Sequence, residues 1–528
     1  MPRRSQPQTR RLRPPAGPSR FSFSRRAAGV LMHITSLPGP HGSGDLGPAA
    51  YEFVDFLHDA GQTWWQTLPI NPTAAGNSPY SALSALAGNP LLINLDALAA
   101  DELLTRRDLA PESGLRADRV DFDAVVRFRL TRLRRAFAAF RHGGGERSAA
   151  FTQYVARNRE WLEPYALFAA IRQSQAARTW MEWPRPLKLA EKAALDAVRK
   201  SLADEIAFQR FVQHLFDTQW TALRCYAHEN GVGLIGDIPI FVGQDSADVW
   251  AHRELFLLEP DGRPKVVSGC PPDSFSKQGQ LWQHPHYRWE RHHHTHFAWW
   301  ISRFRHTLAQ FDAVRIDHFL GFHRVWAVPG GARNAVRGTW LKTPGDGLLT
   351  AVRKALGPVE IIAEDLGLVT PEALALREKH GLPGMRILQC AFGDDDGCRY
   401  HQPHAYPHAS VVYTGTHDND TVVGWWRSAA KHAKPSRKGH LSEPDRALRY
   451  LAASSPRDIH WHMIRAALAS PAATAIVPTQ DLLGLDSRGR MNVPAIASGN
   501  WEWRMTEGAL SPELAARLRD LSEAYGRI

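Results

Sequence analysis

Three carboxylates in this chain follow short apolar runs, two of them beside basic residues. Asp317 closes Ala-Val-Arg-Ile-Asp-His-Phe, Glu364 closes Val-Glu-Ile-Ile-Ala-Glu-Asp-Leu-Gly, and Asp418 follows Val-Val-Tyr-Thr-Gly-Thr-His-Asp-Asn-Asp. Cleaving a glycosidic bond with retention needs an ionised carboxylate to attack the anomeric carbon and a protonated one to serve the leaving oxygen, about 5–5.5 Å apart. Arg315 precedes Asp317 by two positions, so on a strand it shares the Asp317 face and can hold that carboxylate ionised. Crowding by Asp317 and Asp418 is expected to raise the pKa of Glu364, as a general acid requires. A lone acid after an apolar strand is more often a cap or an ion-pair member; three at strand ends, two of them beside His or Arg, point to chemistry.

Something must bring these residues together. Eight short apolar or β-branched runs read as buried parallel strands, around Gly29–Ile34, Thr63–Pro69, Gly233–Ile240, Asp312–Asp317, Val359–Glu364, Met385–Phe392, Ser410–Thr414 and Thr474–Pro478. Amphipathic stretches such as Ala49–Ala60, Phe297–Gln310, Leu348–Leu356 and Pro371–His380 separate them. Eight such units predict a (β/α)8 TIM barrel, whose chemistry sits at the C-terminal strand ends. The three carboxylates then belong to strands four, five and seven. Residues 28–70 supply strands one and two, and 71–230 form a large, mainly helical insertion with patterns at Val125–Phe140 and Leu202–His228. The rest of the barrel is 231–528, with a smaller helical excursion near 431–470 before strand eight.

Composition excludes several classes. The formal net charge is +11, but residues 1–27 hold eight Arg and no acid precedes Asp45, which leaves about +3 for the remainder. Residues 1–27 are expected to form a disordered basic tail, so the charge does not imply a nucleic-acid partner. No apolar run approaches a membrane span, and no apolar stretch suited to secretion follows the arginines. Cys225, Cys270, Cys390 and Cys398 have no CxxC spacing, which reads as reduced thiols in a cytoplasmic protein. Eighteen Trp and eleven Tyr offer flat rings for stacking on sugars.

Around the carboxylates the sequence resembles a known family. Arg315 to Phe319, Ala363 to Gly367 and Thr416 to Asp420 are similar to signature blocks of the amylomaltases, the 4-α-glucanotransferases of glycoside hydrolase family 77 in the α-amylase superfamily. His33 to Pro40, Gly76 to Tyr80, Gly88 to Pro90, Gly236 to Ile240, Pro271 to Trp289 and Asn500 to Arg504 resemble further blocks, in order, over about Gly29 to Arg504. The resemblance implies Asp317 as nucleophile, Glu364 as acid/base and Asp418 as the carboxylate that grips sugar hydroxyls. It places Arg315, His318, His417 and Asp237 around the covalent intermediate and stacks Tyr80 on the donor sugar. Asp273, Phe275, Gln280 and Trp282 resemble a mobile loop over the acceptor side, whose aromatic walls favour a sugar hydroxyl over water. The implied reaction is disproportionation of α-1,4-glucans and maltooligosaccharides with glucose as an acceptor, without cofactor or metal, in cytoplasmic maltose or glycogen metabolism. Gln283-His284-Pro285 stands where the family shows Gly-Asn-Pro, Pro494-Ala495-Ile496 where it shows Pro-Gly-Thr, and Asn71 and Asn77 are milder departures.

Three other readings compete. The same site could be mainly hydrolytic, which the maltotriose product pattern separates from transfer. A metal-dependent hydrolase would use His33, His318, His417 or the His292–His296 run and would be inactivated by a chelator; the run reads instead as solvated or loop-packing. A catalytically silent glucan-binding protein would be indifferent to Asp317→Asn.

Overall fold

The computed structural model describes residues 21–528 apart from 75, 113, 273–275, 434–440 and 495. Among the described residues twelve strands follow in chain order: β1 Ala27–Leu31, β2 Trp64–Gln66, β3 Gly233–Pro239, β4 Val266–Cys270, β5 Gln280–Pro285, β6 Ala313–Asp317, β7 Arg324–Pro329, β8 Thr339–Lys342, β9 Ile361–Ala363, β10 Gly384–Ile387, β11 Ser410–Tyr413 and β12 Thr474–Pro478. Eight of them, β1, β2, β3, β6, β9, β10, β11 and β12, close an all-parallel barrel in that order. These are the eight runs that the apolar pattern marked.

The barrel strands are buried on both faces and still alternate. Ala27, Leu31, Trp64, Ile235, Ala313, Ile362, Met385, Val411, Tyr413 and Ile476 fill the interior. Their neighbours Ala28, Val30, Trp65, Leu234, Val314, Ile361, Val412 and Ala475 pack outward under the helices. Gly29 is required where β1 meets β2, because a Cβ there would come within 2.4 Å of the Trp64 carbonyl oxygen.

Residues 21–27, expected to belong to a disordered basic tail, are part of the fold. Phe21 and Phe23 are buried, with ring centroids 5.7 and 5.2 Å from Trp64, and close the N-terminal mouth of the barrel. Arg26 donates to the carbonyls of Leu468, Ser470 and Tyr525, and Ala27 already belongs to β1. The period-two Phe-Ser-Phe pattern was the available signal, masked by its Arg- and Ser-rich setting; residues 1–20 lie outside the described residues.

Between β2 and β3 the long helices Phe122–His142, Ala149–Ser174 and Ala203–Glu229 dominate. The last of these also serves the barrel: Trp220, Leu223 and Ala227 are buried, and the Trp220 indole donates to the Gln310 carbonyl at 3.1 Å. Helices Glu443–Tyr450 and Ile459–Ala469 precede β12. No helix among the described residues is long and apolar enough to cross a membrane.

Sequence patterning missed a second sheet. Strands β5, β4, β7 and β8 form an antiparallel sheet in that order, built from the loops that follow β3 and β6. The segment that resembled a mobile loop is therefore partly strand, since Gln280 and Trp282 lie on β5, the edge next to β4. A register shift opens between Val267 and Gly269 opposite Gln283, whose φ of 64° is left-handed. Glycine adopts that conformation freely, whereas a side chain costs about 1–2 kcal/mol. Gln283 is exposed, so its side chain meets no packing penalty in addition.

Candidate active site

Asp237 on β3 and Arg315 on β6 are register partners inside the barrel, and Arg315 aligns with Ile362 on β9. Asp317 ends β6 and Glu364 directly follows β9, so adjacent strands deliver both carboxylates to the same rim. The Arg315 side chain is 2 % exposed and joins three acids: Nη1 meets Asp237 Oδ2 at 2.5 Å, while Nη2 meets Asp317 Oδ1 at 3.2 Å and Glu364 Oε2 at 2.9 Å. Because one nitrogen touches both, these oxygens of Asp317 and Glu364 lie within about 6 Å of each other. That suits the retaining separation of about 5–5.5 Å better than the roughly 6.5–9.5 Å of inverting pairs.

The charge distribution reverses the expectation for Glu364. Burial, then the Glu364 charge, pushes Asp317 well above the usual carboxylate range, and Arg315 offsets this only in part. Burial would also raise Glu364, but Arg315 outweighs it together with the His318 backbone N–H, which donates to Oε2 at 2.6 Å. Glu364 is thus lowered, not raised. The cause is local geometry: Arg315 spends its shortest contact on Asp237, and the remaining donors converge on Glu364 rather than on Asp317. His318 aims its N–H by adopting a left-handed conformation, φ 51° and ψ 50°, just after β6.

Asp418 reaches the site on the loop after β11. Its Oδ1 accepts from Asn492 Nδ2 at 2.6 Å and its carbonyl accepts from Arg490 at 2.7 Å. The His417 Nε2 stands 3.5 Å from Asp418 Oδ2. Tyr80 comes from the insertion, stacks on His417 at 5.1 Å and donates to Asp237 Oδ2 at 2.8 Å. Trp282 meets the His318 ring edge-on at 4.9 Å. An open cleft of about 780 Å³ runs past Tyr80, Trp282, Asp317, His318, Glu364 and Asp418.

The structure thus gathers Tyr80, Asp237, Trp282, Arg315, Asp317, His318, Glu364, His417 and Asp418, with Gln280 on the cleft wall. Asp273 and Phe275 lie outside the described residues. His33 is buried at the end of β1, its Nδ1 3.3 Å from Thr67 Oγ1, and burial lowers it to about 3. Of the histidine run, His292 is fully buried against Tyr287 and Trp289, its Nε2 3.2 Å from the Leu255 carbonyl, which makes it a packing residue. Arg490 and Asn492, the supports of Asp418, were missed. They follow β12 in an irregular segment, where no periodicity singles them out.

A closed parallel barrel with a buried arginine joining a close acid pair, and a third carboxylate across an aromatic-walled cleft, defines a retaining-type glycoside-processing enzyme. Residues 32–511 match glycoside hydrolase family 77, described as 4-alpha-glucanotransferase, and the chain belongs to that family. It is 45% identical over 507 residues to the 4-alpha-glucanotransferase of Thermus thermophilus, covering 95% of this chain and 99% of that one. It is 43% identical over 512 residues to the chloroplastic/amyloplastic enzyme of Arabidopsis thaliana, covering 96% and 86%. The amylomaltase of Streptococcus agalactiae, solved in complex with acarbose, superposes with a TM-score of 0.90 at 35% identity over 95% of this chain and all of that one.

Proposed function

We propose that this chain is a 4-α-glucanotransferase that moves segments of α-1,4-glucan from a donor maltooligosaccharide to the 4-hydroxyl of glucose or of another glucan. Asp317 attacks the anomeric carbon, Glu364 protonates the departing glycosidic oxygen, and a covalent glucosyl ester on Asp317 results. An acceptor 4-hydroxyl then gives its proton to Glu364 as its oxygen displaces Asp317, which restores both carboxyls. The observation that carries this reading is the single Arg315 Nη2 shared by Asp317 and Glu364.

The pair shares protons as a unit. Burial and the Glu364 charge raise Asp317, while Arg315 and the His318 N–H lower Glu364. Positive charge developing at the anomeric carbon stabilises the Asp317 carboxylate. Asp418, held by Asn492, grips ring hydroxyls; Tyr80 offers its free face to the donor sugar. Trp282 against His318 walls the acceptor side and limits the access of water to the ester. The four free thiols suit a reducing, cytoplasmic setting.

Maltotriose alone, without added metal, tests the reading. Oligosaccharides longer than maltotriose should form together with glucose, and Asp317→Asn should abolish both. Glucose and maltose without longer products would make the protein a hydrolase, and no turnover would make it a binding protein.

A further inference from the structure

A fourth strand-end carboxylate, absent from the proposed chemistry, sits beneath the Asp418 loop. Asp481 follows β12, is 2 % exposed, and reaches across to both ends of the loop after β11. Its Oδ2 accepts from Thr414 Oγ1 at 2.5 Å, before the loop, and its Oδ1 accepts from the Val422 backbone N–H at 2.7 Å, after it. Between those two fastenings lie His417 and Asp418. We propose that Asp481 is a positioning residue for transfer: its carboxylate closes the 414–422 loop like a clasp and fixes where Asp418 meets the sugar. The inference rests on the role proposed for Asp418.

An aliphatic residue would fill this buried place without electrostatic cost, and a neutral amide would keep both contacts only by donating to the Thr414 hydroxyl, which reverses that bond. A carboxylate serves both ends with acceptors only, and it does so in an unfavourable setting. Burial is the largest influence on Asp481 and raises it to about 6, against the two hydrogen bonds that lower it; neighbouring Asp420 adds to the rise. His33, His417 and Arg490 line the same small cavity, with Asp420 and Asp481. The folded state therefore binds more protons here than the unfolded chain, and Asp481 costs stability as pH rises from about 4 through about 6.

The test compares Asp481→Asn, Asp481→Ala and Thr414→Val with the wild type. It measures kcat and KM for maltotriose disproportionation from pH 5 to 8, with thermal midpoints, and repeats Asp481→Asn on Asp418→Asn. We expect Asp481→Asn to lower kcat at least tenfold at pH 7 while KM changes less than threefold and the midpoint stays level or rises. Thr414→Val, which removes one fastening and no charge, should lower kcat in the same sense. The acid limb near pH 6 should be weaker in Asp481→Asn, and that substitution should cost nothing further on Asp418→Asn. Wild-type kcat in a folded Asp481→Asn, a kcat loss matched by a falling midpoint, or full additivity with Asp418→Asn would each overturn the inference. Should Asp481→Ala fail to fold, the other two variants decide it. Wild-type turnover by Asp418→Asn would instead remove the role proposed for Asp418, a separate failure.

Discussion

Replacing Arg315 with Met removes the cation bonded to Asp237, Asp317 and Glu364 together, and keeps most of the side-chain volume. At the 2.9 Å contact with Glu364, an effective dielectric of about 20 gives a gross attraction of about 6 kcal/mol. The guanidinium is itself desolvated, so the net figure is smaller; breaking a buried pair by removing one partner costs about 3–5 kcal/mol. The loss must depend on pH. In the wild type Glu364 is lowered, so its pairing contributes stability above the ordinary carboxylate range and loses it as pH falls. Without Arg315 its folded pKa rises above the unfolded value, and Asp317 and Asp237, already raised by burial, rise further. The variant then pays for ionising these acids as pH increases. Urea unfolding of both proteins between pH 5 and 8 should show a destabilisation near the full 3–5 kcal/mol at pH 8, shrinking toward pH 5. A difference below about 1 kcal/mol, or one independent of pH, would refute the charge arrangement described for the acid pair.

Glu364→Gln should lose about 10²–10⁴-fold in kcat on maltotriose, the usual range for a general acid. It should recover most of its ester-forming rate on α-glucosyl fluoride, whose leaving group needs no proton, while Asp317→Asn recovers none; rescue of the Asp317 variant would exchange the two roles. Trp282→Ala opens the wall beside His318. It should raise the share of glucose and maltose relative to longer products at least threefold, read by chromatography, and an unchanged product ratio would take Trp282 out of water exclusion.

What the sequence reveals here follows from how each feature is encoded. Buried parallel strands are continuous apolar runs, so all eight barrel strands could be read, and Asp317, Glu364 and Asp418 could be placed on one rim because strand ends share it. The side sheet escaped because β4, β5, β7 and β8 are partly exposed rather than continuously apolar, and because the pairing that joins its two halves, β4 with β7, links segments far apart in the chain. The proton distribution escaped for a different reason. Period two correctly aims Arg315 at the Asp317 face, but it says nothing of how a three-way guanidinium divides itself. That division is decided by Asp237, from β3, and by a left-handed His318 that turns its N–H toward Glu364. Pattern thus locates the acids, whereas their ionisation is set by contacts between strands far apart in sequence and by one backbone conformation that no spacing rule encodes. Substituting His318 by residues that resist φ near 51° should therefore disturb Glu364 more than removing its imidazole does.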